Sequence, residues 1–218
     1  MCEMVEKPKS RGRPRTYDPG AVLDCAAQVF WANGFADTSL DELGEAMGMG
    51  RPSIYNAFGD KETLFLRALE RFRDTIGSTP LHALRAESTI RKGLAAFFRQ
   101  IVEYSTADAS HLGCLLGSVA VATDAPRVRT FLAANLAELE AEIARELSAA
   151  VERGDLPSGY PTLQGARRMV SAMLSLNTRA RLGTPRTELL QDAADAARQV
   201  LDLEGPKGTV QQGNRSRN

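Results

Sequence analysis

Arg51-Pro52-Ser53-Ile54-Tyr55-Asn56 is the stretch whose side chains are best suited to reading another molecule. An arginine can pair bidentately with O6 and N7 of guanine, and a serine can bond either a base or a phosphate. Pro52 has no N–H to satisfy and can pack on a thymine methyl. Elsewhere the chemistry is sparse. His82 and His111 are the only histidines. The three cysteines (Cys2, Cys25 and Cys114) show no CxxC or Cys/His spacing, so neither a disulfide framework nor a zinc site is indicated. No nucleophile–base pair, metal cluster or phosphate loop points to catalysis, and no cofactor is implied.

Those side chains need elements to hold them. Asp18-Pro19 has the form of a helix start, an N-cap followed by proline in the first turn. Val22, Cys25, Ala26, Val29 and Phe30 form a helical stripe that Asn33-Gly34 should stop. Ser39 and Glu42 have capping-box spacing ahead of Leu40, Leu43 and Met47. Gly48 permits a tight turn into a short helix, Arg51 to Phe58, with Ile54 and Phe58 inward. Asp60 then caps a helix striped by Leu64, Phe65, Ala68, Leu69 and Phe72. Two short helices joined by a glycine turn form the helix-turn-helix pattern, in which the second helix enters the major groove. A plain helical corner gives the same pattern.

Beyond Gly77 the chain continues helical, from Thr89 to Tyr104, HLGCLLGSVAVA, Pro126 to Arg153, Thr162 to Leu182, and Pro185 to Leu203. No run of alternating β-branched residues occurs. The expected fold class is all-α, with about nine helices and no internal repeat. Four divisions are expected: a flexible basic arm (1–16), a helix-turn-helix domain (17–60), a larger helical domain (61–204) and a disordered tail (205–218).

At this point a family resemblance emerges. TSLDELGEAMGMGRPSIYNAFGDKETLF resembles the DNA-binding region of the tetracycline-repressor (TetR) family of bacterial transcription regulators. The matching features are Thr38-Ser39 at the second helix start, Gly48, Tyr55, Phe58 and the Asp60-Lys61-Glu62 entry to the fourth helix. The helix ending at Phe30 and the Asn33-Gly34-Phe35 turn match as well. The resemblance is close over Tyr17 to Phe72 and one of architecture beyond. It implies a homodimeric repressor on near-palindromic double-stranded operator DNA, released by a small-molecule effector, in the bacterial cytoplasm and at the nucleoid when bound. It also implies that Tyr55 contacts the phosphate backbone or a base edge. Many relatives have His or Tyr where this chain has Ala57, a departure that removes one expected phosphate contact.

The residues add their own reading. With Ile54 and Phe58 buried, Arg51, Pro52, Ser53, Tyr55 and Asn56 are left to face DNA. Lys61 at the fourth helix start can hold a phosphate beside free N–H groups, as Thr38 and Ser39 can at the second. The charge pattern complicates this. Net charge is +0, yet Asp18 to Asp74 has ten acids against five cations, so any nucleic-acid surface there must be local. Lys7 to Tyr17 holds five cations and no acid. Its Arg11-Gly12-Arg13-Pro14 is the core of the minor-groove AT-hook, whose arginines fit a narrow A·T groove. Arg11 and Arg13 are therefore expected to reach the groove beside the reading helix, the alternative being a solubility tail.

The larger domain is expected to carry the effector and the dimer. Phe97, Phe98, Ile101, Tyr104, Leu115, Met169 and Met173 are candidate pocket walls, each equally explicable as core. Asn177 is a polar group on an apolar face. It could orient a ligand or bond a dimer mate. Thr162 to Leu182 is apolar on two sides and the last helix is alanine-rich, which suits burial between two chains. Cys114 sits near a helix start, where the dipole would lower its pKa and favour a covalent switch. The alternative is a buried, unreactive thiol. No apolar run reaches the roughly 18 residues of a membrane span, and MCEMVEKPKSRGRPR lacks the apolar stretch of a secretory signal. The cytosol is therefore expected, with no membrane partner.

Overall fold

The computed structural model describes residues 18–203. The basic arm, with Arg11 and Arg13, lies outside them, as does the C-terminal tail. Among the described residues there are nine α-helices and no strand: α1 Pro19–Asp37, α2 Leu40–Met47, α3 Arg51–Phe58, α4 Lys61–Phe72, α5 Thr79–Arg85, α6 Ile90–Ser105, α7 Pro126–Glu152, α8 Thr162–Arg181 and α9 Arg186–Leu201. None is long and apolar enough to cross a membrane.

The first helices start where their caps put them. Asp18 Oδ1 accepts the Gly20 N–H at 2.8 Å. The Ser39/Glu42 capping box closes in both directions: Ser39 N–H donates to Glu42 Oε2 at 2.7 Å, and Glu42 N–H to Ser39 Oγ at 3.2 Å. Asp60 accepts the Thr63 N–H at 2.6 Å. Each cap satisfies a donor that a helix start otherwise leaves free.

Two stretches depart from the periodicity. Helix α1 does not end at Asn33-Gly34 but bends there, at Gly34 with φ 80° and ψ 175°, and resumes to Asp37. HLGCLLGSVAVA is not one helix. It is a 3-10 turn (Ala109–His111), a π turn (Leu115–Val119) and a second 3-10 turn (Ala120–Ala122). The cause is Gly113, at φ 82°. The backbone there runs so close to α8 that a Cβ would lie 2.8 Å from the Asn177 carbonyl oxygen and 2.9 Å from Arg181 Cβ. Ser118 Oγ also bonds the Cys114 N–H and carbonyl, and such local side-chain bonds compete with the helical ladder.

Two apolar cores result. One joins α1–α4 to the 114–120 segment and Val128 through Phe30, Leu43, Ile54, Phe65 and Leu69. The other joins α5–α9 through Leu94, Phe97, Ile143, Met169 and Leu189. Helix α8 packs on α6, α7 and α9. Its two apolar sides are thus largely used within the chain, burying Ala166, Met169, Val170, Leu176 and Ala180. Ala193 and Ala197 of α9 are buried likewise. Two-sided apolarity therefore does not by itself mark a subunit interface here; Leu163, 51% exposed, is the large apolar side chain left on the outside of α8.

Candidate functional site

The first candidate surface is α3. Gly48 ends α2 in the left-handed region (φ 63°), and its N–H returns to the Glu45 and Gly44 carbonyls. The Met49 N–H then bonds the Gly44 carbonyl at 2.8 Å. Ile54 is buried and pins α3 to the core. Arg51, Pro52, Ser53, Tyr55 and Asn56 are all exposed, Tyr55 at 52%. The sequence-expected reading residues are thus brought together on one free face. Arg51 is held in a fork by both Asp41 carboxylate oxygens, a bond that keeps the Asp41 carboxyl below its usual pKa. Both partners are exposed. Such pairs are weak and screened by salt, so the Asp41 carboxylate can be exchanged for another acceptor.

The three residues expected at phosphates are placed differently. Thr38 is buried, and its hydroxyl donates to the Gly34 carbonyl at 2.6 Å. Ser39 is exposed but committed to its capping box. Lys61 Nζ donates to the carbonyls of Phe35, Ala36 and Thr38 at 2.8, 3.4 and 2.9 Å and lies over the Phe35 ring. A cation in the first turn of α4 opposes that helix's dipole. Here it serves the C-terminal end of α1, where carbonyls lack helical donors. A phosphate contact by Lys61 would therefore compete with these carbonyls.

The second candidate site is a cavity of about 720 Å³ in the larger helical body. Tyr104, Cys114, Met173 and Asn177 line it. Phe97, Phe98, Ile101, Leu115 and Met169 do not; they are fully buried core. The remaining apolar wall comes from Leu81, Leu116 and the α7 stripe Leu132, Leu136 and Leu139. That stripe was legible as an inward face, but only its half-buried state marks it as cavity wall. Two arginines at the cavity are already paired: Arg73 with Asp74, and Arg85 with Glu142 and Glu146.

The inner wall is neutral and polar at one place. Tyr104 Oη donates to Asn177 Oδ1 at 3.1 Å, and Asn177 Nδ2 is buried with no hydrogen-bond partner. An unmade buried donor costs about 1–3 kcal/mol. Gly117 faces this amide; a Cβ there would sit 3.5 Å from Nδ2. Burial pushes the Tyr104 hydroxyl well above its ordinary pKa. It also raises the Cys114 thiol, outweighing the Gly117 N–H, the Tyr104 hydroxyl and the Leu116 N–H, which act the other way. The dipole effect expected at Cys114 is therefore overcome by desolvation, and the thiolate is disfavoured. Among the described residues no group of three or more His, Cys, Asp or Glu could hold a metal ion.

Arg181, which sequence reasoning passed over, joins α1 to the larger helical body. It lies one helical turn beyond Asn177 on α8. Its Nη1 donates to the Trp31 carbonyl at 3.0 Å and the Leu112 carbonyl at 3.4 Å, and its Nη2 to the Ala32 carbonyl at 3.4 Å. Trp31 Nε1–H also donates to the Leu112 carbonyl, at 3.3 Å, and its ring meets Phe72 edge-on. The α1 end, the 109–114 segment and α8 thus meet on one guanidinium.

Comparison with known proteins agrees with this arrangement. Residues 22–68 match the family model of bacterial regulatory proteins of the tetR family, and residues 90–197 match a tetracyclin repressor-like C-terminal domain. The HTH-type transcriptional repressor ComR of Escherichia coli is 29% identical over 193 residues, 87% of this chain and 92% of ComR. YezE of Bacillus subtilis, an uncharacterized HTH-type transcriptional regulator, is 26% identical over 88% of this chain and its own full length. A solved cysteine mutant of the TetR family regulator CifR, complexed with double-strand operator DNA, superposes with a TM-score of 0.78 at 31% identity, covering 85% of this chain and 98% of CifR. With a helix-turn-helix whose second helix is exposed, a separate helical body around a cavity, and matches along nearly the whole described length, the chain belongs to the TetR family of bacterial transcriptional regulators.

Proposed function

We propose that the protein is a homodimeric transcriptional repressor that binds a near-palindromic operator through α3 and is released by a small molecule taken into the 720 Å³ cavity. The observation that carries this is the free face of α3, where the core-facing Ile54 leaves Arg51, Pro52, Ser53, Tyr55 and Asn56 exposed together. A helix of eight residues reads few base pairs. Two copies, in successive major grooves about 34–36 Å apart, supply the rest. The DNA complex of CifR supports the same reading for this chain. Residues 17–60 meet DNA in this scheme, and residues 61–204 hold the effector and the partner subunit. Helix α4 ties the two by packing on α1. The protein then works in the bacterial cytoplasm, at the nucleoid when bound. The effector must bind the two spacings of the reading heads with different affinity, since otherwise no population shifts.

The test is retention of DNA flanking the protein's own gene in a gel-shift, with sedimentation to count subunits. A monomer that retains no fragment refutes the proposal. Arg51→Ala is expected to weaken operator binding about ten- to hundred-fold and to relax selectivity at one base position in each half-site. Site selection on randomised operators checks this; an unchanged preference removes Arg51 from base reading. Deleting residues 1–14 is expected to weaken binding and flatten its salt dependence, because fewer counterions are released. An identical salt slope would return Arg11 and Arg13 to the role of a solubility tail.

A further inference from the structure

The cavity has a chemical bias that the family assignment does not supply. At its buried end the Asn177 amide nitrogen Nδ2 has no hydrogen-bond partner; the other polar side chains of the lining include Asn135 and His82. Nδ2 is a donor, because Oδ1 already accepts from Tyr104. Gly117 packs in front of it: a Cβ there would lie 3.5 Å from Nδ2 and 3.2 Å from Leu174 Cδ2, so any side chain at 117 would crowd the amide. The apolar part of the wall is mostly leucine, with Met173 and Val121. Arg73 and Arg85, the arginines that reach the cavity, are bonded to carboxylates, and Glu138 adds a further acid. An anionic ligand would have to displace those carboxylates from lining that already carries three acids, Asp74, Glu138 and Glu142, against two arginines. A cationic one would find its charged end at a donor. Asp74 and Glu138 are exposed, whereas Tyr104, Cys114 and Asn177 are uncharged, so a charge placed at that buried end would lose its hydration with no charged side chain among those three to compensate.

We propose that the cavity takes a neutral, largely apolar small molecule carrying a carbonyl-type oxygen, which accepts the free N–H of Asn177 while its hydrocarbon part lies along Leu116, Leu132, Leu136 and Met173. This rests on the effector-binding reading above and names its ligand class. The unpartnered NH2 of the tethered amide gives direction to one end of the ligand, and the apolar walls supply most of the affinity, the usual division in small-molecule sites. Asn177 is then a specificity-determining residue. Arg181, one turn further along the same helix, carries no ligand contact in this arrangement.

Three nine-carbon probes separate the possibilities: methyl heptyl ketone, nonanoate and nonylammonium. Each is titrated into the full chain while melting temperature and operator retention are read on the same samples. The ketone is expected to raise the melting temperature in a saturable way, as any ligand of the native state does. In Asn177→Leu its apparent affinity is expected to fall roughly tenfold, the loss of one buried hydrogen bond. Gly117→Ala, which crowds the amide without removing it, is expected to weaken the ketone too and guards against misfolding of the first variant. Equal ketone binding by wild type and both variants overturns the proposal, as does a preference for nonanoate or nonylammonium, or no response to the ketone. If a charged probe binds and releases the operator, the repressor reading survives and the ligand class falls. If the ketone binds through Asn177 with operator retention unchanged, the ligand class survives and the effector reading falls.

Discussion

Gly44→Ala is expected to abolish tight operator binding while leaving the helical content of the protein intact. Gly44 lies inside α2, where alanine is the better helix former by about 1 kcal/mol. Its Cβ, however, would sit 2.6 Å from the Met49 carbonyl oxygen. That contact is with backbone, in the turn that Gly48 and the Met49–Gly44 hydrogen bond define, so no side chain can swing aside. The turn must open, and α3 moves with it. Overpacking of this kind costs about 1–3 kcal/mol. The strain falls on the one joint that sets the angle of the reading helix. Circular dichroism unchanged to within error, a melting temperature lowered by several degrees, and operator affinity reduced at least tenfold are the expected results. Wild-type operator affinity in Gly44→Ala would show that the close approach at Met49 does not position α3.

Arg181→Ala is expected to loosen the α1 end from the helical body. The guanidinium bonds three carbonyls, those of Trp31, Ala32 and Leu112. Gly34 bends α1 just beyond, so those carbonyls lie where the helix is running out of its own donors. Hydrogen bonds to a charged donor contribute about 1.5–3 kcal/mol, which for a domain of this size corresponds to a fall of roughly 3–12 °C in Tm. Arg181→Lys has the charge but not the fork, and is expected to recover only part of the loss. The distinguishing measurement is amide hydrogen exchange. Faster exchange confined to residues 31–37 and 109–114, with α6 and α9 unchanged, marks the joint as local. An effector that acts through α8 should also release the operator less completely in this variant. Unchanged exchange around Trp31, with an unchanged Tm, would mean that Arg181 does not hold the two parts together.

Much of the reading head was legible because its signals are local. Ser39 and Glu42 form a capping box at their spacing in any context. Asp18 and Asp60 cap the helices they precede. Ile54 and Phe58 are the inward-facing pair of α3, Ile54 buried and Phe58 half-buried, so their spacing leaves a predictable exposed set. The HLGCLLGSVAVA segment was less legible. Its apolar run is compatible with a helix, and the close approach of α8 at Gly113, with the Ser118 hydroxyl on the Cys114 backbone, goes with the broken turns seen instead.

Side-chain roles divided along the same line. By its own pattern the chain determined an all-helical fold, a helix-turn-helix near its start and the face that α3 leaves free, because caps, glycine turns and apolar spacing act over a few residues. Tertiary structure alone decided that Lys61 and Thr38 serve carbonyls at the end of α1. It also decided that Phe97 and Met169 are core while Leu132 and Leu136 line the cavity, that the Cys114 thiol is pushed up rather than down, and that Arg181 reaches Trp31 across 150 residues. Each of these depends on which distant backbone or side chain comes within a few ångströms, and desolvation and hydrogen bonding at that range are properties of the packed chain, not of any local window in it.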